Sequence, residues 1–168
     1  MEFQIIINKN KQEFIEKWYT LIMESYPKGA GSFFIEWKDQ FSNPVGHAIH
    51  SEISLLFDSI INDDFQQISD SLANILRIRA VQDFTPSQAL SFIFQFKEIA
   101  MHYLKKSNSD ISDFIELDGM IDKVLGVGIN IFVGLKEQLF EIKSNEVKKR
   151  FSRAVDRLNR KYSDTEDN

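Results

Sequence analysis

A chain of 168 residues with 43% hydrophobic and 27% charged residues has the size and composition of one globular core, which excludes wholesale disorder. It holds no cysteine, so disulfides, thiolate metal sites and a cysteine nucleophile are excluded together. The net charge of −5 is uneven: residues 1–142 carry 12 basic and 20 acidic groups, residues 143–161 carry 8 basic and 2 acidic, and three more acids close the chain.

The first residues, Met1 to Asn8, lack the basic segment and apolar length of a signal peptide. No run of about 18 apolar residues occurs anywhere, so no membrane insertion is expected and the chain reads as cytoplasmic. Pro and Gly punctuation then divides it into about five helices. The first spans about Lys11 to Tyr26, with Phe14, Trp18, Leu21 and Ile22 at helical spacing, and stops at Pro27 to Gly31. The aromatic stretch from Phe33 to Phe41 suits either a short helix or an extended arm.

Asn43-Pro44 opens the second helix, because Asn accepts well at an N-cap and Pro loses no donor at the first helical position. Ile49, Ile53, Leu56, Phe57, Ile60 and Ile61 mark its one broad apolar face. Asn62-Asp63-Asp64 breaks the chain, and the third helix carries Phe65, Ile68, Leu72, Ile75, Leu76 and Ile78 to an end near Asp83. Thr85-Pro86-Ser87-Gln88 is a capping box opening the fourth helix, whose many apolar residues predict the most buried element. After a turn at Ser107 to Asp110, the residues Phe114, Leu117, Ile121, Val124, Gly128, Ile131 and Leu135 predict a helix–helix seam. The phase slips after Ile142, and Val147, Phe151, Ala154 and Leu158 resume it among Lys and Arg. These four are the candidate interface, and a homodimer is the expected use of them. Gly126, Gly128 and Gly134 fall inside this helix, where close packing or a local break would account for them.

The expected fold is therefore all-α: a single-domain bundle of about five helices with a long last helix, a haem-less globin-like arrangement being one form of it. The division expected is a helical sensor or regulatory body over residues 1–142 and a basic helical extension with an acidic tail over 143–168. No catalytic constellation appears. There is no Gly-x-Ser-x-Gly elbow and no Gly-rich phosphate loop. Asp63-Asp64 and the Asp110, Asp113, Glu116 series fit helix starts, where acids complement the dipole. His47 and His50 with Glu52 are the only zinc candidates, and His102 the only candidate for an axial haem ligand; neither has a supporting partner set, so no cofactor or metal is expected. Nucleic-acid binding through residues 143–161 is a further alternative; it predicts affinity that collapses with salt.

Two polar segments remain as candidate ligand- or partner-binding sites. One is Asn43-Pro44-Val45-Gly46-His47. The other, Arg77 to Phe84, crowds Arg77, Arg79, Gln82 and Asp83 at a helix end. The first, taken from Asp39 as Asp39-Gln40-Phe41-Ser42-Asn43-Pro44-Val45-Gly46-His47, and the string running from Ile75 through Arg79-Ala80-Val81-Gln82-Asp83-Phe84-Thr85-Pro86-Ser87-Gln88 to Ala89 carry a resemblance. So does Asn145-Glu146-Val147-Lys148-Lys149-Arg150. The chain resembles, over about residues 10–150, the RsbRD-type N-terminal sensor domain of the RsbT co-antagonist family. The resemblance implies a non-catalytic input domain of bacterial stress signalling, haem-less and dimeric, whose last helix leads toward an output module such as a STAS domain or a histidine kinase. Here an acidic tail follows Tyr162 instead, so the expected form is stand-alone, acting in trans on an unidentified signalling protein.

Overall fold

The computed structural model describes residues 2–26, 43–82 and 84–166, with side chains described as far as Lys161. Among these residues there are six α-helices and no strand: α1 (Glu2–Asn8), α2 (Lys11–Glu24), α3 (Pro44–Asn62), α4 (Phe65–Val81), α5 (Pro86–Lys106) and α6 (Ile111–Glu166). The fold is all-α, with one long C-terminal helix. The expected aromatic stretch at 33–41 lies outside the described residues.

Local chemistry sets most of the boundaries. Asn43 caps α3 by accepting from the Gly46 N–H at 2.8 Å, with Pro44 in the first turn. Asp63 then takes the left-handed conformation (φ 57°) that ends α3, and Asp64 caps α4 by accepting from Gln67 N at 3.1 Å. Thr85 and Gln88 close the capping box of α5: Thr85 N donates to Gln88 Oε1 at 3.0 Å, and Gln88 N donates to Thr85 Oγ1 at 3.4 Å.

The sixth helix, α1, is not among the five that the apolar spacing marks out. Phe3 and Ile7 are fully buried, and Phe3 N donates to the Asp113 carboxylate at 3.1 Å. Asp113 is itself buried, so it serves the start of α1 as well as its own helix.

The chain divides into two units, Met1–Val133 and Gly134–Asn168. In the first, α5 packs against α1, α2 and α4, and α3 against α4 as an antiparallel hairpin. Its centre is aromatic. Phe14 lies 4.8 Å from Phe96 and 5.1 Å from Phe57, and Trp18 lies 5.0 Å from Phe96, in tilted or edge-on geometry. The Trp18 indole is satisfied by donating to Phe92 O at 2.7 Å. From α6 come the buried Leu117, Met120, Ile121, Val124 and Phe132. A Cβ on Gly128 would stand 3.0 Å from Leu90 Cδ2 and 3.1 Å from Ile93 Cδ1, so this glycine allows close helix approach. Gly126 has nothing over it within 4 Å, and close packing does not account for it. In the second unit, no described residue from Gly134 to Lys161 is buried.

Candidate functional site

Hairpin register brings the two polar segments to one end of the first unit. Asn74 Nδ2 donates to Glu52 Oε1 at 3.1 Å across the α3–α4 hairpin. The side chains nevertheless sort into two groups, each attached to α2.

The first group surrounds Asn43. Its side chain is buried and hydrogen-bonds the Tyr19 hydroxyl in addition to capping α3. Burial pushes the Tyr19 phenol up to about 12, against the opposing effect of Asn43. The Tyr19 ring meets His50 edge-on at 5.4 Å. Burial also lowers His50 from its ordinary value; the nearby His47 adds to this and Glu16 opposes it. Gly46 is required by this closeness, because a Cβ there would collide with the Asn43 amide nitrogen and stand 2.6 Å from the Tyr19 hydroxyl. His50 also lines a cleft of about 370 Å³ with Lys11, Gln12, Ile15, Glu16 and Ser54. Lys11 is held there by Asp58, at 2.6 and 2.8 Å from its two oxygens.

The second group surrounds Arg79, which is fully buried. Its Nη1 donates to Gln88 O at 2.8 Å, Ala89 O at 3.3 Å and Ser91 Oγ at 3.4 Å, and its Nη2 donates to Ser25 Oγ at 3.0 Å. The guanidinium lies 5.0 Å from the Phe84 ring centre and 5.5 Å from those of Tyr26 and Phe92. Among the described residues no carboxylate pairs with it. Burial lowers the Arg79 guanidinium from its ordinary value, and the adjacent Tyr26 hydroxyl pushes back. Arg79 thus ties the end of α2 and the start of α5 to the last turn of α4. Arg77 points the other way; it is exposed and donates to Asn74 Oδ1 at 3.3 Å. Gln82 is exposed at the C-cap of α4, and His47 is half-buried. Asp83 lies outside the described residues.

Tyr19 on α2 and Tyr26 just past its end connect these groups, and the sequence did not single them out as site residues. The signal that separates the two arginines was present: Arg79 continues the buried spacing of Leu72, Ile75 and Leu76, whereas Arg77 falls off it. His102 is exposed on α5, its ring 6.0 Å from that of Tyr103. Among the described residues no three His, Cys, Asp or Glu side chains are grouped to hold a metal ion, and no helix is long and apolar enough to cross a membrane.

Of the candidate interface residues, Val147, Phe151 and Leu158 are 66%, 71% and 54% exposed, and Ala154 is exposed as well. Phe140 and Ile142, nearer the start of the second unit, are 74% and 57% exposed.

Residues 12–142 match the family model described as the RsbT co-antagonist protein rsbRD N-terminal domain. No curated protein and no solved structure matches the chain.

Proposed function

Because the chain belongs to the family of the RsbT co-antagonist protein rsbRD N-terminal domain, a family of stress-response signalling domains, we propose that it is a non-catalytic input or adaptor domain of bacterial signalling. It acts by protein–protein contact and dimerises through its last helix. The observation that carries this reading is the row of exposed apolar side chains on a helix that buries none of them: Phe140, Val147, Phe151 and Leu158. Large apolar groups left in water forgo about 1.5–3 kcal/mol each, which burial against a second copy recovers in part.

The body, residues 1–142, receives the signal, and the contact is made by Phe140 near its end together with the extension, residues 143–168. At the polar end, Asn43 and Arg79 act from inside by holding three helix ends in one arrangement, while His47, Arg77, Gln82 and Asp83 supply the groups a ligand or partner meets. A signal that favours one packing of that end biases the whole helical body. The test is light scattering on the wild type and on the Phe140→Asp/Phe151→Asp double variant. The reading expects a dimer that becomes a monomer with unchanged helical content. A wild type that is monomeric at high micromolar concentration contradicts it.

A further inference from the structure

Within the first unit, α2 packs on α3 in the opposite direction and leaves a groove between two contacts. At one end Lys11 meets both oxygens of Asp58, at 2.6 and 2.8 Å; at the other the Tyr19 ring meets His50 at 5.4 Å. Lys11 and Tyr19 are eight residues apart on α2, about 12 Å at about 1.5 Å per residue. On α3, His50, Ser54 and Asp58 follow at four-residue spacing and so share one column, of which Ser54 is the short member. The Ser54 hydroxyl turns back to donate to His50 O at 2.9 Å, so its proton is committed to its own helix. Ile15 is buried and supplies an apolar floor. The space left is about 370 Å³, lined by Lys11, Gln12, Ile15, Glu16, His50 and Ser54, a volume that suits a small ligand.

Charge selects the occupant. The Lys11 ammonium is already matched by Asp58. Glu16 is exposed, and among the described residues no base pairs with it. Lys17 stands about 200° around α2 from Ile15, so it faces away from the groove. Burial holds His50 below its ordinary value, with His47 adding to this and Glu16 opposing it, so its imidazole is neutral at neutral pH. The lining therefore carries one unmatched negative charge beside an apolar floor. An anion would be repelled by Glu16 and would find Lys11 already satisfied. A neutral apolar molecule would crowd the carboxylate without pairing it. We propose that this groove binds a small amphipathic organic cation, its ammonium on Glu16 and its apolar body on Ile15. Gln12, one turn before Glu16 on the same side of α2, offers its amide oxygen as a second acceptor. Such a ligand bridges α2 and α3 beside the Tyr19–Asn43 corner, and so stabilises one arrangement of the helix ends that meet there.

The full-length protein is titrated with phenethylamine, phenethyl alcohol and hydrocinnamate, which share one apolar body and differ in charge, and backbone amide shifts are followed by NMR. Phenethylamine should give saturable shifts centred on residues 11–16 and 50–54 at millimolar concentration. The alcohol should bind several-fold more weakly, and the anion should leave those residues unmoved. Glu16→Gln, at an exposed position, should lower phenethylamine affinity several-fold, to that of the alcohol. Ser54→Leu fills the groove and should abolish binding with helical content unchanged. Shifts scattered over the surface, an anion or alcohol that binds as tightly as the amine, or a Glu16→Gln variant that binds as wild type would each overturn the assignment. Binding stands apart from the dimer: a monomeric chain that takes up phenethylamine in this groove contradicts the dimer alone, and a dimer that does not take it up contradicts the groove alone.

Discussion

Substituting Arg79 tests whether its charge or its shape holds the polar end together. Its two shorter hydrogen bonds, at 2.8 and 3.0 Å, are charge-assisted and contribute about 1.5–3 kcal/mol each. The three ring contacts add about 0.5–2 kcal/mol apiece. Against these stands the desolvation of a fully buried cation, several kcal/mol, with its Nε making no hydrogen bond among the described residues. The charge therefore contributes little net stability, whereas the volume between Tyr26, Phe84 and Phe92 contributes much. Arg79→Met keeps most of that volume and should stay within about 1.5 kcal/mol of wild type. Arg79→Ala opens a cavity and should lose about 3–5 kcal/mol. Arg79→Lys keeps a charge but not the planar fork that reaches Gln88 and Ser25 together, and should lose about 3 kcal/mol. Urea unfolding followed by circular dichroism, read at matched m-values, gives the order. If Lys is as stable as wild type, or Met falls as far as Ala, the reasoning is wrong.

Gly46→Ala should destabilise the domain by at least about 2 kcal/mol, because its Cβ collides with Asn43 and Tyr19; thermal unfolding reads this, and a stabilised variant contradicts the corner geometry. Asp113→Ala should cost about 1–3 kcal/mol and raise amide exchange selectively over residues 3–8, since it removes the buried acceptor for Phe3 N. His50 is lowered in the folded chain, so the unfolded chain binds the proton more readily. Its contribution to stability is complete above about pH 6.5 and declines as the pH falls through the window below that value. His50→Gln should flatten that part of the stability profile, and an unchanged slope removes His50 as its source.

The elements bounded by short-range chemistry were legible in the sequence. Asn43-Pro44, Thr85 to Gln88 and the turn at Asn62 to Asp64 each hold their own capping groups within a few residues, and each appears where the spacing places it. Helix α1 was not legible, because its seven residues carry too few turns for a periodic stripe and its start is served by Asp113 from the far side of the sequence. The phase slip after Ile142 left the continuity of the last segment open, and α6 runs through it unbroken. At the polar end, composition marked the right residues but not their depth. Arg77 and Arg79 are equally basic, and only the phase of the neighbouring apolar residues tells which one enters the core. The role of Tyr19 and Tyr26 depends on how α2 lies across two other helix ends, a long-range arrangement that no local pattern encodes.

Sedimentation equilibrium of the wild-type chain over low to high micromolar concentration tests the central claim most directly. A protein that works through its last helix should show a reversible shift to twice the mass of one chain, with the Phe140→Asp/Phe151→Asp variant fixed at the single mass. A wild type that stays at the mass of one chain at every concentration, with the same helical content, would contradict the account.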